Sequence, residues 1–255
     1  MSSDNLTLAK TEEYSIPAAG GGLAAVVHRP YGGRPEFGVI FCHGFRGSKE
    51  GGGRAAGLAA EVAALGLAAV RFDFTPQSPL SRQTAELAAV VDHCRRAVSP
   101  RVILFGRSMG GSAALALAAA DRRIAGLCLW SAPCDLAATF RLALGENYDR
   151  LARGETVDIA DEYGRFQLTP AFIRDFAAFD LPAAVVAISG TPLLIVHGAA
   201  DAIVPPAQAR EMYARANPPK EIVVIPGADH RFLAGYDKAS GAVLAWLART
   251  FAAGG

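Results

Sequence analysis

Residues 101–120 of the chain read RVILFGRSMGGSAALALAAA, and three kinds of structure follow one another in this stretch. The apolar run at 101–105 predicts a buried strand, and the alanine-rich run at 112–120 predicts a helix. Between them lies a G-x-S-x-G pattern centred on Ser108, which in this context is typical of a nucleophile elbow, a sharp turn that exposes a serine hydroxyl at the edge of a sheet. The alternative, a glycine-flanked serine in an ordinary turn of a nucleotide-binding sheet, stays open on this motif alone.

A serine hydroxyl is a poor nucleophile, so Ser108 needs a histidine base at the same edge of the sheet. His230 lies in a late polar loop, after a predicted strand at 222–225 and before a predicted final helix at 238–251, so this loop can reach back over the sheet edge. We predict His230 as the base; the alternative is a surface histidine with no role. The other four histidines lie at the ends of predicted strands or within a predicted helix: His28, His43, His93 and His197.

The base in turn needs a carboxylate that orients its ring. Asp201 follows a predicted strand at 192–196 and lies between Ser108 and His230 in the chain, the order Ser, acid, His that many elbow enzymes have. Asp135, just beyond a predicted strand at 124–130, is an alternative. Asp229 is too close along the chain to point easily at the ring of its neighbour. We predict Asp201 as the acid.

The tetrahedral oxyanion that forms on Ser108 needs two hydrogen-bond donors. One is the backbone N–H of Met109, which follows the nucleophile, and we expect the other from the loop His43-Gly44-Phe45 after a predicted strand at 38–42. The N–H groups of Phe45 and Met109 are therefore the predicted oxyanion hole. His43 is then expected to brace this loop, and His197 to support the Asp201 loop.

Taken together, these motifs resemble those of the α/β-hydrolases, and the resemblance extends from His43 to His230. Within that superfamily, HGFRGSK at 43–49 and RFDF at 71–74 are similar to single-domain bacterial serine esterases, which include cinnamoyl and feruloyl esterases. The family usually continues after the second motif into a glycine-rich loop, whereas this chain has TPQSP at 75–79. The resemblance therefore implies a serine hydrolase whose loop beside the acyl pocket is shorter and stiffer than usual.

Strand and helix patterns alternate along the chain after a predicted hairpin at 12–28, which predicts an α/β fold with a mostly parallel, doubly wound sheet of about eight strands. We expect one domain over residues 1–255. Residues 135–189 interrupt the alternation and predict a small cap insertion. Seven aromatic side chains in this segment suggest an apolar roof over Ser108, although they could equally pack the insertion onto the core: Phe140, Tyr148, Tyr163, Phe166, Phe172, Phe176 and Phe179.

The length, composition and net charge of the chain exclude some classes of function. The chain has 255 residues, is 51% hydrophobic and carries a net charge of +1, so its charge favours neither nucleic acid nor an anionic membrane surface as a partner. The start, Met1 to Asn5, lacks the pattern of a secretory signal, and no apolar run is long enough to span a bilayer, so we expect a cytoplasmic protein. The four cysteines have no C-x-x-C spacing, and we expect neither a metal nor a cofactor.

The sequence thus predicts a serine esterase that acts on a small-molecule ester of a short-to-medium or aromatic acyl group. A peptidase or thioesterase with the same triad is an alternative, because fold and triad do not fix the leaving group. A binding protein that keeps the pocket without catalysis is an alternative from another class. Arg46 and Arg107 flank the oxyanion loop and the nucleophile, where they could contact an anionic substrate group or could simply be solvated or paired. The oligomeric state is left open.

Overall fold

A computed structural model describes residues 9–161 and 164–252 of the chain. Its strands are β1 (Ala9–Ala18), β2 (Gly21–Pro30), β3 (Phe37–Cys42), β4 (Ala68–Phe72), β5 (Arg101–Arg107), β6 (Ile124–Trp130), β7 (Val157–Asp161), β8 (Gly164–Leu168), β9 (Leu193–Gly198) and β10 (Lys220–Ile225). Its α-helices are α1 (Arg54–Ala64), α2 (Leu80–Ala97), α3 (Met109–Ala120), α4 (Leu136–Leu144), α5 (Glu146–Ala152), α6 (Pro170–Arg174), α7 (Leu181–Ala187), α8 (Pro206–Arg215) and α9 (Tyr236–Leu247). Shorter helical turns cover Gly51–Gly53, Asp175–Ala178 and Ala248–Ala252.

Eight of these strands form one sheet in the order β1-β2-β4-β3-β5-β6-β9-β10. Each pair of neighbours from β4 to β10 in this order is parallel, whereas β2 pairs antiparallel with both β1 and β4. Every residue of β3, β4 and β9 is buried, as expected for parallel strands that helices cover on both faces. The predicted mostly parallel, eight-stranded, doubly wound sheet is confirmed.

Two apolar layers cover the faces of the sheet. On one face, α1 and α9 pack onto the sheet through residues such as Leu58, Val62, Val243 and Trp246. On the other face, α2, α3, α7 and α8 bury residues such as Leu87, Leu115, Val185 and Met212. The helices that connect the parallel strands lie on these two faces. The loops that leave the carboxyl ends of the strands therefore gather at one edge of the sheet, outside the two helix layers. Ser108, Asp201 and His230 lie in loops at that edge.

The insertion, residues 135–189, lies between β6 and β9 and contains α4 to α7 and the antiparallel hairpin β7–β8, which forms a separate two-stranded sheet. Its first residues are tied to α8 by the buried amide of Gln208. The Oε1 atom of Gln208 accepts from the N–H groups of Cys134 and Asp135 at 2.9 Å, and its Nε2 donates to Thr139 Oγ1 at 3.1 Å. This bonding fixes the point at which the insertion leaves the sheet.

Several predicted boundaries differ from the structure. The first hairpin is longer than predicted, so His28 lies inside β2. The helix after the elbow begins at Met109 instead of residue 112, and the final α-helix, α9, covers Tyr236–Leu247 instead of 238–251. Met1 to Asn5 and Tyr163, which the sequence analysis singled out, lie outside the described residues. Among the described helices, none is long and apolar enough to cross a membrane.

Candidate active site

Ser108 lies in a strained turn directly after β5. Its backbone has φ 51° and ψ −130°, a conformation that costs a non-glycine residue about 1–3 kcal/mol. Its N–H donates to the carbonyl of Trp130 at 2.9 Å, which ties the turn to the next strand. Gly110 allows the end of β3 to pass close to α3, because a Cβ at this position would lie 2.3 Å from the carbonyl oxygen of His43. The G-x-S-x-G residues therefore form a tight strand-to-helix turn that only small side chains permit.

The structure brings the three predicted catalytic side chains together. His230 Nε2 lies 3.1 Å from Ser108 Oγ, although the two residues are 122 positions apart in the chain. On its other side, His230 Nδ1 lies 2.8 Å from Asp201 Oδ2. With the Nδ1 proton directed to the carboxylate, Nε2 is free to accept the proton of the serine hydroxyl. The arrangement matches the geometry that nucleophile, base and orienting acid need.

Asp201 is buried, and its carboxylate is held on both oxygens. Oδ1 accepts from the N–H groups of Ile203 and Val204, at 3.0 and 2.8 Å, while Oδ2 faces His230. Burial acts to raise the pKa of the Asp201 carboxyl, but the hydrogen bonds from His230 and Val204 outweigh it and hold the pKa below its ordinary value. The Asp201 carboxylate is therefore ionised at neutral pH and held in one orientation.

The buried side chain of His197 contacts the loop that carries Asp201. Its Nε2 donates to the carbonyl of Val204 at 2.8 Å and lies 3.5 Å from Asp201 Oδ2. Burial lowers the pKa of His197, so the ring is neutral at physiological pH. A neutral ring at this place orients the loop without competing with His230 for the charge of Asp201.

The two alternative acids make other contacts. Asp135 caps α4, where its Oδ1 accepts from the N–H of Ala138 at 2.9 Å. The Oδ1 of Asp229 accepts from the N–H of Leu233 at 3.0 Å. Of the three candidate carboxylates, Asp201 is the one for which the described structure shows a hydrogen bond to His230.

The His43-Gly44-Phe45 loop lies against Ser108. A Cβ added to Gly44 would be 2.9 Å from the Cβ of Ser108, so glycine is required for this approach. His43 braces the loop: its Nε2 accepts from the N–H of Phe74 at 3.0 Å, which leaves Nδ1 to donate to the carbonyl of Gly44 at 2.8 Å. Among the described residues, the N–H groups of Phe45 and Met109 have no protein acceptor. That these two amides form an oxyanion hole stays a prediction.

The two arginines beside the site contact the protein. Arg107 donates to the carbonyl of His230 at 3.1 Å and so fixes the loop that carries the base. The guanidinium of Arg46 lies 4.0 Å from the centre of the Phe166 ring, in the insertion. Sequence patterns carry no signal for either contact, because each joins residues that are far apart in the chain.

A cavity of about 620 Å³ lies at the opposite edge of the sheet, where β3, β5 and β6 begin. Two of the arginines that line it are neutralised by neighbouring carboxylates, Arg101 by Glu36 and Arg123 by Asp121. None of the predicted site residues lines this cavity. Among residues 9–161 and 164–252, no cluster of His, Cys, Asp and Glu side chains could hold a metal ion.

The sequence model of the alpha/beta hydrolase family matches residues 39–245, which include all of the site described above. The chain belongs to the α/β-hydrolase family. Hydrolysis is the class of reaction that this membership supports. No curated protein matches the sequence of this hydrolase.

Solved structures share the fold of this hydrolase. Est1E from Butyrivibrio proteoclasticus superposes with a TM-score of 0.77 at 21% identity, covering 94% of this chain and 99% of its own. The esterase domain of a Rhodothermus marinus protein has a TM-score of 0.71 at 25% identity, with 94% and 98% covered. A monoacylglycerol lipase from Paleococcus ferrophilus gives 0.69 at 19% identity, with 89% and 99% covered. The predicted α/β-hydrolase fold and the resemblance to bacterial esterases are confirmed.

Proposed function

We propose that this hydrolase is a serine carboxylesterase that cleaves esters of short-to-medium or aromatic acyl groups. The observation that carries the proposal is the hydrogen-bonded series from Ser108 Oγ through the His230 ring to the Asp201 carboxylate. Such a series lets a serine attack a carbonyl carbon at neutral pH, because the proton has a base to go to and the resulting imidazolium has a carboxylate beside it.

The reaction follows from these positions. Ser108 Oγ attacks the ester carbonyl as His230 Nε2 takes its proton, and the N–H groups of Phe45 and Met109 stabilise the tetrahedral oxyanion. His230 then gives the proton to the departing alcohol, which leaves an acyl group on Ser108. Water attacks this acyl-enzyme with His230 again as base, and the carboxylic acid leaves. Preorganised amide donors of this kind are worth about 10²–10³ in kcat each.

The preference for short-to-medium or aromatic acyl groups rests on the ligand of a structural neighbour and on the size of the insertion. Est1E, which shares this fold, has been solved with ferulic acid bound. We also propose that residues 135–189 act as a small cap on a single hydrolase domain, and Phe140 and Phe172 of this cap are buried against Phe45. A segment of this size has little length with which to line an extended lipid tunnel. A small-molecule ester as substrate and a cytoplasmic location belong to the same proposal.

Covalent labelling tests the nucleophile. A fluorophosphonate probe should modify the wild-type chain once, on the peptide that contains Ser108, and Ser108→Ala should lose both labelling and about a millionfold in kcat on p-nitrophenyl butyrate. Ser81→Ala, at an exposed serine, is the matched control and should behave as wild type. Ester turnover by purified Ser108→Ala at the wild-type rate would reject the assignment.

A substrate series tests the reaction class. We expect kcat/KM to be highest for p-nitrophenyl esters of two to eight carbons, as a rough range, or for methyl hydroxycinnamates. A rate that rises steadily towards long acyl chains, or a preference for anilides or thioesters, would move the assignment to a lipase, a peptidase or a thioesterase. A wild-type chain that neither reacts with the probe nor turns over any ester would favour a binding protein.

A further inference from the structure

The Gly44–Gly47 segment that carries Phe45 is a strained turn. The N–H of Gly47 donates to the carbonyl of Gly44 at 2.9 Å, which closes a four-residue turn with Phe45 and Arg46 at its centre. Arg46 has φ 58°, in the left-handed region that an arginine rarely adopts. A backbone conformation of this kind persists only when its surroundings hold it. The contacts of Phe45 and Arg46 show what those surroundings are.

The ring of Phe45 is embedded in side chains of the insertion. It packs against Phe172 with ring centres 5.2 Å apart, against Phe140 at 5.3 Å and against Phe166 at 5.8 Å. Phe140 and Phe172 also pack against each other and against Phe176. We call these five rings the phenylalanine cluster. The cluster joins the oxyanion loop of the main sheet to α4, α6 and β8 of the insertion.

The next residue of the turn is anchored in the same segment. The Arg46 guanidinium stacks over the Phe166 ring, 4.0 Å from its centre, which adds a cation–π attraction to the ring packing of Phe45. On its other side the turn rests on Ser108 through Gly44 and on the β4 loop through His43. The turn is therefore held between the nucleophile below and the insertion above.

We propose that the insertion positions the oxyanion donor, with Phe172, Phe140 and Phe166 as positioning residues that fix the Phe45 N–H relative to Ser108 Oγ. The side chain and the amide of Phe45 share one Cα, so a shift of the ring moves the donor. An oxyanion donor works only within about 2.7–3.1 Å of the developing charge, and small displacements weaken it steeply. This inference rests on the proposed esterase function. It gives the insertion a role in stabilising the transition state.

Burial separates this role from direct substrate contact. Phe172 is 2% exposed and Phe140 is 4% exposed, so neither offers much surface to an acyl group. Any effect of these two rings on turnover must then act through the residues that they contact. Among those residues, Phe45 is the one whose backbone N–H is predicted to take part in catalysis. Truncating either ring should therefore change kcat more than KM.

The test compares Phe172→Leu with Phe176→Leu. Both side chains are buried and both pack against Phe140, but only Phe172 contacts the Phe45 ring. We expect kcat on p-nitrophenyl butyrate to fall tenfold or more in Phe172→Leu and less than threefold in Phe176→Leu, with KM within about twofold of wild type in both. The midpoints of urea unfolding should fall by similar amounts, because similar volumes are lost.

A transition-state analogue provides the second readout. A trifluoromethyl ketone forms a hemiketal on the nucleophilic serine and places its oxyanion in the hole, so its inhibition constant should rise in Phe172→Leu by the factor by which kcat/KM falls. Phe166→Ala, at a half-buried ring, should show the same pattern to a smaller degree, and Phe166→Tyr should restore wild-type kcat. If Phe172→Leu does not fold, Phe166→Ala provides the test of the positioning role in its place.

The outcomes separate the two proposals. Equal kcat values in the variants of Phe172 and Phe176, in a protein that the fluorophosphonate still labels at Ser108, would overturn the positioning role alone. A rise in KM with unchanged kcat would also overturn it, because that result assigns the rings to substrate binding. Wild-type protein that neither reacts with the probe nor turns over an ester would overturn the esterase function and the positioning role together.

Discussion

Asp201 orients the imidazole of His230 with one carboxylate oxygen and is itself held by two backbone amides on the other. In Asp201→Asn, an amide N–H can face the ring and favour the wrong tautomer, so we expect kcat to fall by about three to four orders of magnitude with little change in KM. Asp135→Asn is the matched control, because asparagine also caps helices well and should keep α4 in place. Steady-state kinetics of both variants check the ranking, and a larger loss in Asp135→Asn would move the acid to that position.

Single residues also show where sequence reasoning is strong. The proximity of Ser108, Asp201 and His230 could be predicted because each follows a strand at one edge of the sheet and their order in the chain restricts the choice. The ring of Phe45 could not be placed among Phe140, Phe166 and Phe172, because contacts between distant segments leave no periodic signal. The same holds for the hydrogen bond from Arg107 to the His230 carbonyl.

Among the elements, α3 shows how tertiary packing overrides local propensity. Its first turn contains Gly110 and Gly111, poor helix formers that the sequence analysis assigned to a turn, yet the helix begins at Met109. Close packing explains the glycines, since a Cβ at Gly111 would lie 2.4 Å from the Cβ of Ala132. The buried strands β3, β5, β6 and β9 were predictable from apolar runs. The hairpin β7–β8 was not, because its strands are only five residues long and so short a pattern does not distinguish strand from loop.

The close approach at α3 has a measurable cost. Gly110→Ala introduces a Cβ 2.3 Å from the His43 carbonyl oxygen, and we expect it to lower the free energy of unfolding by several kcal/mol and to displace the oxyanion loop, with loss of activity. Gly57→Ala in α1 is the matched control, because nothing lies within 4 Å of its new Cβ, and it should stabilise the protein by up to about 1 kcal/mol. Urea unfolding of both variants checks the contrast, and equal midpoints would contradict it.

Across the whole molecule, the four cysteines behave as core residues. Cys42, Cys94, Cys128 and Cys134 are free thiols, and each is buried. Burial raises the pKa of Cys94 to about 12 and that of Cys134 to about 11, and it raises the pKa values of Cys42 and Cys128 further. Thiolate is the reactive form, so the native protein should be almost inert to Ellman's reagent at pH 8, with all four thiols reacting in 6 M guanidinium chloride. Rapid reaction of one full equivalent in the native state would contradict this burial.

Because Ser108 and His230 are far apart in the chain, they are synthesised at different times. Ser108, the proposed nucleophile, leaves the ribosome 122 residues ahead of His230, the proposed base, which at typical elongation rates of about 5–20 residues per second is a delay of roughly 6–24 s. Early in this interval β5 and the elbow can fold against β3 and β4, before β9 and β10 have been synthesised. A nascent chain of this protein therefore carries Ser108 before His230 exists, and the proposed hydrolysis can begin only once the last strand of the sheet has been synthesised and the loop beyond it has folded.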